Sequence, residues 1–144
     1  MQVCIDCEWN DFNAETGLAG ELISMALVCS NGDEFYEVLD CPNPTPWVAA
    51  NVIPVLDKPP ISKAFFSQKL ATFLEKLEPF ELIADWPEDV SKFCNALILG
   101  PGQRMNTPNF TMKIVRIDAP SQIPHNALAD AQGLQATLYD LKYV

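Results

Sequence analysis

Basic residues are scarce in this chain: nine lysines and arginines stand against nineteen acids in 144 residues, for a formal net charge of −10. They are scattered between Lys58 and Lys142, so no basic stripe exists to track a duplex backbone or an anionic membrane surface. The one route back to a polyanion is a cleft where acids converge on divalent cations and the local field changes sign. No apolar run reaches the length of a membrane span, and no membrane partner is expected. The first residues lack the basic-then-apolar pattern of an export signal. The five cysteines are an odd number without framework spacing, so a reduced, cytoplasmic setting is expected. Hydrophobic residues make up 49% of the chain, enough for one buried core and one domain over 1–144.

Residues 2–8 read as a strand. ELISMALVCS (21–30) and DEFYEVLD (33–40) flank Asn31-Gly32, the signal of a two-residue type I′ hairpin. The proline-rich stretch 41–60 reads as an irregular connection with a short helix near Trp47–Asn51. Residues 62–77 form a helix, with Phe66, Leu70, Phe73, Leu74 and Leu77 on one face and Ser62 as its cap. FELIA (80–84) is a short strand. A second helix carries Val90, Phe93, Cys94, Leu97 and Ile98 and stops at Gly100-Pro101. KIVRI (113–117) is a strand, and a last helix runs from about Asn126 to Leu141. Three strands, then helix, strand, helix, strand, helix, predict an α/β domain with a five-stranded mixed sheet.

The first strand poses a choice of chemistry. VCIDCEWN contains Cys4-x-x-Cys7 and also Asp6-x-Glu8. Strand alternation puts Cys4, Asp6 and Glu8 on one face and Val3, Ile5 and Cys7 on the other. The thiols then point apart, with no second Cys or His pair at zinc spacing, and read as buried apolar side chains. The two carboxylates share a face, where they repel unless a cation lies between them. Alone, the pair reads equally as a solvated strand end.

HNALADAQGL (125–134) holds the single histidine, His125, five residues before Asp130 and at the entrance of the last helix. A lone histidine there serves either as a cap or as a reactive group. In IADWPEDVSKFCNAL (83–97) a strand runs straight into a helix, with acids at 85, 88 and 89. Helix starts attract acids for dipole reasons, so one of these is expected to be structural.

Together these segments resemble the three motifs of the DEDDh 3′–5′ exonucleases, the superfamily of oligoribonuclease, RNase T and the proofreading subunits. HNALADA resembles its His-x-Ala-x-x-Asp-Ala motif. GELISMALVCSNGDEFYEVLD followed by PWVAANVIPVL is similar to the small single-domain bacterial and phage 3′–5′ exoribonucleases. The likeness runs from Val3 to about Leu138. It departs at Trp9-Asn10-Asp11, where many relatives have a small run such as Thr-Thr-Gly, and at Asp85, where the second motif commonly begins with Asn. These departures bear on substrate class more than on chemistry.

The resemblance implies an RNase H-like fold, a five-stranded mixed sheet with helices on both faces. It also implies hydrolysis of single-stranded RNA from the 3′ end to 5′-mononucleotides. Asp6, Glu8, Asp89 and Asp130 would hold two Mg²⁺ or Mn²⁺ ions, and His125 would be the general base. Asp89 is preferred to Asp85 as the ligand of the second motif. Asp85-Trp86-Pro87-Glu88 has the form of a capping box, and relatives place Asn four residues before the catalytic Asp. Trp9 is either a stacking surface for the terminal base or an ordinary rim aromatic. Short single strands are the expected substrate of so acidic a chain. The rivals are a DNA-directed enzyme of the same superfamily and a non-enzymatic phage interaction module keeping the fold. A homodimer is compatible with each.

Overall fold

The computed structural model describes residues 1–11 and 20–141. Its strands are β1 (Gln2–Trp9), β2 (Leu22–Cys29), β3 (Glu34–Val38), β4 (Phe80–Ala84), β5 (Ile98–Gly100), β6 (Gln103–Arg104) and β7 (Phe110–Ile114). Its helices are α1 (Pro46–Asn51), α2 (Lys63–Glu75), α3 (Pro87–Ala96) and α4 (Ala127–Asp140). Five strands form one mixed sheet in the order β3-β2-β1-β4-β7. β1, β2 and β3 are antiparallel neighbours, whereas β4 runs parallel to β1 and β7 parallel to β4. The expected five-stranded mixed α/β sheet is therefore present.

Alternation along β1 feeds two cores. Val3, Ile5 and Cys7 join Met25 and Leu27 of β2, Phe66, Leu70 and Leu74 of α2 and Phe93 of α3. On the other face Cys4 packs with Ile83, Leu134 and Leu138, and Ala26 and Val28 pack with Ala127 and Ala131 of α4. Helices thus cover both faces, and the two thiols lie in different cores, as alternation required. Burial pushes the Cys4 thiol up to about 12, which leaves it inert. All five cysteines are free.

Small residues decide how closely α4 approaches. Ala26 sits opposite Asp6 in the β1–β2 register, and the face of α4 toward it is alanine. At Gly133 a Cβ would lie 2.2 Å from the Pro120 carbonyl oxygen, so the chain before α4 lies directly on this glycine. Serine and asparagine caps start the long helices: Ser62 accepts from Phe65 N–H and Asn126 from Ala129 N–H.

Four expectations about elements need correction. The β2–β3 loop is not a type I′ turn, because Gly32, at φ 97°, is its only left-handed residue. Gly32 N–H bonds the Cys29 carbonyl and Cys29 N–H bonds that of Asp33, the pattern of a three-residue loop ending in glycine. α3 ends at Ala96, and Ile98 belongs to a hairpin, where it is 57% exposed. There Met105 N–H pairs with the Leu97 carbonyl, a ladder bond that replaces another helical turn. The final strand is Phe110–Ile114 rather than 113–117, because β4 registers Phe80 with Phe110 and Ala84 with Ile114. The Phe80 and Phe110 rings stack 5.2 Å apart. Finally, Asp85 does not cap α3: the N-cap is Trp86, with no side-chain cap bond. Among the described residues no helix is long and apolar enough to cross a membrane.

Candidate metal centre

The site begins where two parallel strands part. β1 and β4 pair from Gln2–Glu81 to Cys4–Ile83, after which β1 continues and β4 turns into α3. The crevice beyond the carboxyl ends of such strands is where α/β sheets place ligands. Cys7 N–H points into the gap, and Asp89, in the first turn of α3, accepts it through Oδ1 at 2.9 Å. That bond fixes Asp89, which is 2% exposed, beside the strand carrying Asp6 and Glu8.

From the other side α4 brings Asp130 in its first turn. Ligand oxygens of Asp6, Glu8 and Asp130 lie within 4.8 Å of one another, and so do those of Asp6, Asp85 and Asp89. The two groups share Asp6. All four acids expected as ligands are therefore brought together, and Asp85, read from sequence as a cap, joins them.

The electrostatics follow from crowding like charges in a partly dry cleft. Burial, then the charges of Asp89, Glu8 and Asp130, raises the Asp6 carboxyl well above its ordinary value. Burial and Asp130 push Glu8 up to about 8. Asp89 is pushed to about 8 by burial, against the opposing bond from Cys7 N–H. Asp85 is also raised by burial, while its own backbone and Arg116 act the other way. Asp6 Oδ2 is covered and has no hydrogen-bond partner, although a buried acceptor is ordinarily satisfied. Carboxylate oxygens alone, one of them orphaned, fit hard divalent cations such as Mg²⁺ or Mn²⁺.

His125 stands immediately before the cap of α4. Its backbone is left-handed, at φ 70°, a conformation that histidine enters more readily than most residues. Trp47 of α1 meets its ring edge-on, with centroids 5.0 Å apart. Trp9 is partly buried and packs against the core formed by β1, α2 and α3.

Sequence reasoning missed the residues that hold these parts in place. Asn126 caps α4 and also donates from Nδ2 to the Val55 carbonyl at 2.8 Å, which pins the helix entrance beside His125. Asn10, just past β1, donates to the Asn43 carbonyl and accepts from Thr45 N–H. Thr45 is the N-cap of α1, so the end of the strand carrying Asp6 and Glu8 holds the helix that carries Trp47. An asparagine before a helix signals a cap, but nothing local reveals its second, distant partner. Neither a family model nor a curated protein matches this chain.

Proposed function

We propose that the chain is a metal-dependent 3′–5′ exoribonuclease with an RNase H-like fold. The observation that carries this reading is the pair of carboxylate groups joined through Asp6. The sheet order β3-β2-β1-β4-β7, with β2 alone opposing the other strands, supports the fold. So does the origin of the acids on the first strand, the β4–α3 junction and the start of the last helix.

Asp6, Glu8 and Asp130 would hold one ion, and Asp6 with Asp89 and Asp85 the other. When bound, two divalent ions supply a water nucleophile at neutral pH and charge relief at phosphorus. The chain's own residues do the rest. His125 would take the proton of the attacking water, with Trp47 limiting the movement of its ring. Asp89, fixed by Cys7 N–H, keeps the second group preorganised. Ala26 and the alanine face of α4 let the two walls of the site close on Asp6. The net charge of −10 disfavours long polyanions, so short single strands and free 3′ ends are the substrates.

The test is digestion of 3′-labelled and 5′-labelled oligonucleotides, as RNA and as DNA, with Mg²⁺, Mn²⁺ or EDTA. Loss of the 3′ label as a mononucleotide, metal-dependent and faster on RNA, is expected. Undiminished hydrolysis in excess EDTA would sink the metal mechanism, and a preference for DNA would move the substrate class.

A further inference from the structure

Beside the carboxylates lies a pair of side chains that belongs to neither group. The extension of β7 continues its pairing with β4 through Val115 N–H and the Ala84 carbonyl. This delivers Arg116 to the β4–α3 junction, where it donates to the Asp85 carbonyl. Its guanidinium carbon lies 4.1 Å from the centroid of the Trp86 ring, well within cation–π range. Trp86 makes no side-chain cap bond and is 44% exposed. The Lys58–Glu37 and Lys69–Glu37 ion pairs do not involve Arg116, whose charge acts on the neighbouring Asp85 carboxyl against the effect of burial. Among the described residues, one of the five N–H donors of Arg116 bonds the Asp85 carbonyl. An exposed aromatic face, a planar cation and spare donors therefore sit next to Asp85 in a chain of strongly negative charge.

We propose that Trp86 and Arg116 form a seat for one nucleotide of the substrate strand, with its base stacked on the exposed pair and a phosphate oxygen on the free guanidinium edge. The inference rests on the nuclease reading above and adds how the strand is held. Every base has a π face, so the seat is indifferent to sequence. It also supplies positive charge where a phosphodiester must pass carboxylates, which scattered lysines elsewhere do not.

The probe is a short fluorescein-labelled oligouridylate with cleavage-resistant phosphorothioate links, bound in Mn²⁺ and read by anisotropy. Trp86→Ala and Arg116→Ala are each expected to weaken binding by roughly tenfold. Arg116→Lys keeps the charge but not the plane, and should recover only part of the loss. The rise in melting temperature on adding Mn²⁺ should match the parent's in Trp86→Ala and persist in both Arg116 variants, because no carboxylate is removed and only Arg116 acts on one, Asp85. Affinities within about twofold of the parent's in both alanine variants would overturn the seat, and a loss of melting temperature alone would reduce the pair to a structural clasp. If the parent binds and degrades RNA while the variants bind equally well, only the seat falls. If the parent does not bind the probe, the seat and the nuclease reading fall together.

Discussion

Asp6 belongs to both carboxylate groups, and its covered Oδ2 lacks a partner, so one substitution there separates function from stability. Asp6→Asn should lower hydrolysis by roughly a thousandfold or more, within the range set by loss of a reaction's main electrostatic support. It should also raise the melting temperature of the metal-free protein, because a neutral amide no longer repels Glu8 and Asp89. Paired activity assays and thermal melts check both halves. His125→Ala should cut turnover by about a hundredfold and leave the Mn²⁺-induced rise in melting temperature intact, since the two groups brought together consist of carboxylates alone. Near-normal turnover would make His125 a turn residue only. Asp85 is the residue whose sequence signal misled: Pro87 and Glu88 follow it as in a capping box, yet the cap falls one residue later, at Trp86. A lost cap bond costs about 1 kcal/mol. Asp85→Ala should therefore leave stability within about 0.5 kcal/mol of the parent while lowering hydrolysis, as denaturant melts beside rate assays will report.

At the scale of elements, α4 is both a wall of the site and the support of the loop that leads to His125. Gly133 has the Pro120 carbonyl where a Cβ would go. Gly133→Ala should therefore displace the loop even though alanine favours the helix. Overpacking of this kind costs roughly 1–3 kcal/mol, and turnover should fall with it, because His125 lies five residues beyond Pro120. Melts and rates on this variant test the coupling; unchanged values in both would show that the loop yields freely. From sequence Gly133 reads as nothing more than a weak point in a helix. What could be read there were the elements themselves, because β1, β2, α2, α4 and their caps declare their period and their ends locally. The end of α3 could not, since Ile98 keeps the helical spacing while its backbone pairs in a hairpin. The start of the last strand likewise depends on β4, a partner thirty residues back in the register. The same division holds at the site. Asp6, Glu8, Asp89 and Asp130 were recognisable as a pattern, whereas the Asn126–Val55 and Cys7–Asp89 bonds are pairings across the fold that no local window contains.

Taken as a whole molecule, the chain gathers like charge at one point, and pH sets the cost. Glu8 and Asp89 ordinarily titrate near 4.5 and 3.8 and are raised to about 8 in the folded state. The folded state thus holds protons that the unfolded chain gives up. The associated stability is full below about pH 4 and is lost as pH rises through about 8. The metal-free protein should melt lower at pH 8 than at pH 5.5. Mg²⁺ or Mn²⁺ should restore more at pH 8, with each kcal/mol regained visible as roughly 4 °C. Asp6→Asn is the control in which the pH dependence and the metal response both shrink. A parent whose melting temperature ignores metal at pH 8 would contradict the proposed centre. The positions of the acids along the chain also bear on synthesis. Asp6 and Glu8 lie on the first strand, Asp85 and Asp89 follow the fourth, and Asp130 opens the last helix. A growing chain leaves the ribosome from its N-terminus, so the strand with the first two acids emerges long before the helix that completes their ligand set. On the proposed reading the nascent chain can cut no messenger until that helix docks, because the group of Asp6, Glu8 and Asp130 is incomplete before then.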